Sequence, residues 1–188
     1  VFFGLSAERT RIEPGTNIPA AYLAYADRFG YASTALPFTL GWTRDDRDSS
    51  LVPTKGRLQR LAGEAGVFGD ARYLRGSYQY QQYIPLSKQY TLAVTGEIGW
   101  GKGLGARPYP VFKNYYAGGL GSVRGFEQGT LGPRDVTGAS IGGPKKIVLN
   151  GEFITPFPGA GNDRTLRLCA FVDAGNVFTE KQGYEFGE

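Results

Sequence analysis

Histidine is absent from the 188-residue chain, which removes the commonest general base and the commonest metal ligand. No Ser-His-Asp or Cys-His nucleophilic site can be built from what remains. A single cysteine, Cys169, excludes an internal disulfide. It falls inside a candidate strand with no activating neighbour in sequence, and reads as a small packing residue rather than a nucleophile. The net charge of +4 is spread along the length without a block of lysine or arginine, so charge gives no case for a nucleic-acid partner. No apolar run reaches the ~18 residues that a membrane-spanning helix needs. That leaves membrane-spanning strands open, since each needs only about 9–11 residues with one apolar face. The opening VFFGLSAERT has neither a basic leader nor a cleavage site, so it is not a signal peptide. It reads as a strand already under way, and the closing KQGYEFGE carries no stop signal, as expected of a segment cut from a longer chain.

Glycine and aromatic residues are plentiful: 29 glycines, 12 phenylalanines and 12 tyrosines. In short alternating runs that mixture suits a β architecture and argues against a helical bundle. Alternation with period two recurs along the chain. In YTLAVTGEIGW, residues 90–100, Leu92, Val94, Ile98 and Trp100 share one face, and Thr91, Ala93, Thr95 and Glu97 the other. In IVLNGEF, residues 147–153, Ile147, Leu149 and Phe153 oppose Val148, Asn150 and Glu152. In TLRLCAFVDA, residues 165–174, Leu166, Leu168, Ala170 and Val172 oppose Arg167, Cys169, Phe171 and Asp173. Weaker versions start at Val1, Phe38, Gly56 and Arg72, which makes about seven strands joined by turns such as EPGTN, VFGDA and IPLSKQ. One face is apolar with aromatics near strand ends, and the other mixes amides, hydroxyls and charges with small residues. A soluble sandwich would bury the apolar face against a second sheet. A membrane barrel would turn it to lipid and keep a polar lumen.

Three other stretches bear on chemistry. GEIGWGKG, residues 96–103, nearly matches a phosphate-binding loop, but Gly103 stands where a hydroxyl would hold magnesium and no helix follows. It reads as a strand end with a glycine turn. RDDRD, residues 44–48, lacks calcium-loop spacing and reads as a solvated, self-paired turn. The stretch from about 103 to 145 is too long for a hairpin connection, and loops of that length are functional or disordered. PVFKNYYAGGLGSVRGF is too aromatic for disorder, and its glycines permit a compact tip carrying Arg124 and Phe126. A fold back into a polar lumen is the expectation.

NYYAGGLGSVRGFEQGTLGP, residues 114–133, resembles the long extracellular loop with a VRGF motif found in outer-membrane assembly factors of the Omp85 superfamily. GEFITPFPG (151–159) is similar to the strand and periplasmic turn that follow that loop, FVDAGNVF (171–178) to the next strand with its Asp-x-Gly motif, and GWTRDDRDSSLVPTKG (41–56) to an earlier strand and turn. The order agrees, and the resemblance covers most of the chain from about residue 38. It implies an all-β fold: an antiparallel transmembrane β-barrel fragment, about seven strands of a sixteen-stranded barrel, with the long loop folded into the lumen. Residues 1–188 would be part of one outer-membrane barrel domain, roughly strands seven to thirteen, with the POTRA domains and the terminal strands absent. The family's lateral gate lies between those terminal strands, so the segment alone is not expected to be competent for insertion.

The resemblance further implies a non-enzymatic protein of the bacterial cell outer membrane that needs no cofactor and binds no metal. It would insert and fold β-barrel proteins, with unfolded outer-membrane proteins, the lipoproteins of the BAM complex and the lipid bilayer as partners. The residues implied are Val123, Arg124, Gly125 and Phe126 of the motif. By alternation, Glu152 and Asp173 fall on the polar face, where a returning loop could bring Arg124 to them; an arginine fork pairs well with carboxylates in a partly desolvated site. The plain alternative is a solvated loop charge. Rival functions are a two-partner secretion or TamA-like translocation pore, a passive porin, and a soluble β domain with an internal pocket.

Overall fold

The computed structural model describes residues 1–15, 18–159 and 165–181. Thr16 and Asn17 of the EPGTN turn, and the end of KQGYEFGE from residue 182 on, lie outside the described residues. The described chain forms one antiparallel sheet of eight strands. Two short strands, β1 (Phe2–Leu5) and β2 (Glu8–Arg11), pair in succession along the same long neighbour, β3 (Ala32–Asp45). They therefore make one interrupted pass across the sheet. The order then follows the sequence through β4 (Gly56–Gly69), β5 (Tyr73–Pro85), β6 (Thr91–Gly103), β7 (Lys145–Pro156) and β8 (Arg167–Phe178). From β3 to β8 each strand has 12 to 14 residues, enough to cross a bilayer at the usual tilt.

The alternation read from the sequence becomes the two faces of this sheet. Leu40 of β3, Leu61 of β4, Tyr78 of β5, Ile98 and Trp100 of β6, Leu149 and Phe153 of β7 and Leu168 of β8 are all exposed on one face. No element among the described residues covers them, so the second sheet of a soluble sandwich is missing. Such a band costs free energy in water and is favourable against hydrocarbon; it is the outer wall of a membrane barrel. On the inner face, Ala35, Leu58, Tyr73, Ala93, Val148 and Val177 are buried. For Ala35, Tyr73, Val148 and Val177 the partner is the 104–144 segment, which lies against this face. Tyr73 of β5 packs with Ala35, Ala71 and Tyr109 in one cluster, and Val148 and Val177 pack with Ala117 and Val123 in another. Each large side chain so buried contributes about 1.5–3 kcal/mol.

Two features depart from the sequence reading. Residues Ala20–Phe29 form a helix, α1, in a stretch to which the alternation assigned no element. Its run AAYLAYADRF consists mostly of helix formers, and Pro19 precedes it. The helix is held from outside itself: Asp135 Oδ2 accepts from the Ala20 amide at 2.6 Å, and the Tyr22 hydroxyl lies 2.6 Å from that of Tyr116. α1 has ten residues, and no helix among the described residues is long and apolar enough to cross a membrane. The second departure is GEIGWGKG, which is a strand to its end and not a turn. Gly99 and Gly101 sit on the inner face of β6 because rings press on them. A Cβ at Gly101 would lie 2.4 Å from the Tyr109 ring, and one at Gly99 2.9 Å from the Tyr115 ring.

Candidate functional site

Arg124 enters the site from the 104–144 segment, and its receivers stand on two adjacent strands. β7 and β8 pair with Asn150 opposite Asp173 and Glu152 opposite Phe171. Period-two geometry points all four side chains to the inner face, so Glu152 and Asp173 form a diagonal acidic pair. Arg124 lies over them. Its Nε donates to Asp173 Oδ2 at 2.7 Å and its Nη2 to Asp173 Oδ1 at 2.6 Å, a two-point fork on one carboxylate. Nη1 donates to Glu152 Oε1 at 2.5 Å. The Arg124 backbone amide adds a bond to Asp173 Oδ2 at 2.9 Å. The guanidinium carbon stacks 3.7 Å from the centre of the Phe171 ring, an attraction between cation and ring face.

The Asp173 side chain is only 2% exposed, against 18% for Arg124 and 30% for Glu152. Burying that carboxylate without partners would cost several kcal/mol. Arg124 and Asn150 satisfy it, the latter donating from Nδ2 to Oδ1 at 2.8 Å. The same Asn150 amide donates to the Ser122 carbonyl at 2.6 Å, so it also grips the segment just before Arg124. Asp173 above all, then Glu152, hold the guanidinium proton well above the ordinary arginine range, against a partial burial that pulls the other way. The arrangement is a fixed ion pair, a forked arginine on one buried carboxylate with a second carboxylate at its side.

The rest of the motif divides by role. Val123 is buried and packs with Ala117, Val148 and Val177. Gly175 of β8 makes room for it, since a Cβ there would lie 2.9 Å from Val123 Cγ2. Gly125 has φ +88, a left-handed backbone that a side chain strains, which lets the chain turn immediately after Arg124. Phe126 is 52% exposed and is not the aromatic beside the arginine; Phe171 is. Phe171, Asn150 and Ser122 had no assigned role in the sequence reading. The first two could have been found from alternation, because they share the inner face with Asp173 and Glu152. Cys169, read as a packing residue, is exposed on β8. By alternation it lies on the inner face, two residues before Phe171.

A second cation of the same segment reaches the opposite part of the sheet. Lys113 closes a short 3-10 turn, Val111–Lys113. Its Nζ donates to Glu8 Oε2 of β2 at 2.8 Å and to Glu64 Oε1 of β4 at 2.6 Å. The Tyr73 hydroxyl donates to the same Glu64, and the Tyr73 ring lies 5.2 Å from Nζ. Burial pulls the Lys113 ammonium down, but the two carboxylates outweigh it and leave its proton held above the ordinary lysine range. Between the two cations, Tyr115 lies between Arg75 and Lys146, its ring centre 4.3 Å from the Arg75 guanidinium carbon and 5.7 Å from Lys146 Nζ. Its hydroxyl donates to the Gly76 carbonyl of β5 at 2.7 Å. RDDRD runs from the end of β3 into the connection after it and is self-paired as expected: Arg47 forks onto Asp45, and Arg44 pairs with Asp46 at 2.8 Å. No cluster of metal-ligating side chains occurs among the described residues.

The chain is similar to known proteins over most of its length. The Omp85 superfamily domain matches residues 2–188. The outer membrane protein assembly factor BamA of Neisseria meningitidis serogroup B is 38% identical over 195 residues, which cover 96% of this chain and 24% of that protein. A SAM50-like protein of Schizosaccharomyces pombe is 30% identical over 142 residues, 72% of this chain and 30% of that protein. Among solved structures, BamA from Haemophilus ducreyi lacking POTRA domains 1–3 superposes with a TM-score of 0.82 at 22% identity, over 95% of this chain and 38% of that one. The chain thus spans less than a third of the length of these sequence relatives. With its wall of antiparallel strands and a loop laid against the inner face, the chain belongs to the Omp85 superfamily, as part of a transmembrane β-barrel.

Proposed function

We propose that the protein containing this chain is an outer-membrane assembly factor, which inserts and folds β-barrel proteins into the bacterial outer membrane. The observation that carries the reading is the 38% identity to the assembly factor of N. meningitidis, which extends over wall and loop together. Identity to the SAM50-like protein is lower, at 30%, and covers less of the chain; this favours a bacterial over a mitochondrial membrane. The clients would be unfolded outer-membrane proteins, and BAM-complex lipoproteins would assist. Residues 1–188 would be one portion of the barrel domain, and the 104–144 segment its extracellular loop.

No covalent step is needed in this reading. Unpaired backbone groups on an exposed edge strand template an incoming strand. The present segment supplies wall and brace: Val123, Arg124, Gly125 and Phe126 form the returning tip, and Glu152 and Asp173 hold it. Fixing the loop keeps a wet, charged lumen in one shape while the bilayer around it is perturbed. The test is reconstitution of the full-length protein in liposomes with an unfolded outer-membrane barrel protein, whose folding is followed by heat-modifiable gel mobility. Faster folding than in empty liposomes supports the proposal. No acceleration, with partner lipoproteins also supplied, turns the reading toward a secretion pore.

A further inference from the structure

Contacts of the segment between Lys113 and Arg124 follow the order of the strands beneath it. Lys113 reaches Glu8 of β2 and Glu64 of β4, on either side of β3. Tyr115 bonds the Gly76 carbonyl of β5, and its ring lies over Gly99 of β6. Ser122 receives Asn150 of β7, and Arg124 ends on Asp173 of β8. The segment therefore crosses the inner face from one side of the sheet to the other.

Along the way the segment is bonded to the rest of the loop and within itself. Tyr115 and Gly143 exchange amide bonds at 2.8 and 3.0 Å. Leu131 donates to the Ala117 carbonyl at 3.0 Å, and Gly119 to that of Val123 at 3.1 Å. The Gly118 amide donates to Ser122 Oγ at 2.8 Å. Tyr109, Tyr115, Ala117 and Val123 are all buried. A segment so bonded and packed behaves as one body rather than as a slack string.

We infer that Lys113 is a second positioning residue of the loop, and that residues 113–124 act as a transverse strut with a charged clamp at each end. Lys113 fixes the strut to β2 and β4, and Arg124 fixes it to β7 and β8. The strut holds the two sides of the sheet at a set separation, and loosening either end loosens the other. Lysine suits its end because its ammonium is a point charge that serves two carboxylates on separate strands. Arginine suits the other end because its fork matches one carboxylate. The inference concerns the mechanics of the wall and does not depend on the assembly activity.

Reciprocity gives the test, because coupling between two ends must act equally in both directions. The full-length protein in lipid nanodiscs would be followed by amide hydrogen exchange. The Arg124 amide, bonded to Asp173, reports one end. The Tyr115 amide, bonded to the Gly143 carbonyl, reports the other. Lys113→Gln is expected to speed exchange at the Arg124 amide about tenfold, and Arg124→Gln to speed it about tenfold at Tyr115, as sub-global opening of one unit requires. Lys113→Arg keeps the charge but not the compact ammonium, and should leave exchange at the Arg124 amide between that of the parent and that of Lys113→Gln. If Lys113→Gln does not fold, Glu8→Gln trims the same clamp more gently and should speed the Arg124 amide in the same direction. Exchange that changes only at the substituted end, with the far amide unmoved, overturns the strut and leaves two independent anchors.

Discussion

Arg124 and Lys113 lie on the same loop and each meets two carboxylates, yet they grip the wall differently. Arg124 places a fork on one carboxylate that is 2% exposed, and stacks on Phe171. Lys113 divides its charge between Glu8, 37% exposed, and Glu64, 17% exposed. Burial sets the stakes. A carboxylate sealed from water depends on its partner, whereas one still touching solvent recovers part of its hydration when the partner is lost. The Arg124 end is therefore strong and specific, and the Lys113 end is softer and broader. The lesson is that a long loop can be held by charge without a single uniform bond type.

The largest effect is expected from Arg124→Ala, which strands Asp173. It should cost about 3–5 kcal/mol, read as a lower unfolding temperature of the full-length barrel in detergent by gel mobility. Arg124→Lys keeps the charge but not the fork, and should recover less than half of that loss. Next comes an uncharged assault on the same end. Gly175→Ala would put a Cβ 2.8 Å from the Ile147 carbonyl and 2.9 Å from Val123, at a cost of about 1–3 kcal/mol. Gly101→Ala, pressing on Tyr109 at the Lys113 end, sharpens the comparison. If charge rather than packing distinguishes the two ends, both glycine variants should melt alike.

A smaller loss is expected from Lys113→Gln, about 2 kcal/mol or less, in the same melting assay. A loss as large as that of Arg124→Ala would refute the ranking by burial. The smallest effect concerns the link from the loop to α1. Hydrogen bonding from Thr137 above all holds the Asp135 carboxyl below the ordinary carboxylate range. Because its folded value is depressed, its grip on the Ala20 amide is fully present above the ordinary range, near pH 3.9. That grip is lost as the pH falls through the lower folded value. The Ala20 amide resonance should accordingly shift only in strong acid, and Asp135→Asn should abolish that titration while leaving both clamps intact.

Much of the wall was legible before the structure. The strands around Leu92, Leu149 and Leu168 show clean alternation because each has one face in hydrocarbon and one against polar or small groups. The positions of Glu152 and Asp173 on one face follow from the same count. α1 was not legible, because AAYLAYADRF is short and its helix is stabilised by Asp135 and Tyr116, distant in sequence. The glycines of GEIGWGKG were misread as a turn because glycine alone cannot say whether it serves backbone freedom or a ring pressed against it. Lys113 could not be singled out from the sequence, since its partners Glu8 and Glu64 sit on other passes of the chain.

By itself the sequence determined most of the strands, their two faces and the residues from which an arginine lock could be built. Those are local matters, decided by alternation and residue chemistry. Only the tertiary structure decided that Phe171 rather than Phe126 stacks on Arg124. It alone decided that Asn150 bridges loop and carboxylate, and that Lys113 grips strands on the far side of the sheet. These contacts join residues far apart in the chain, and they exist only once strand register has placed side chains from separate passes on one surface.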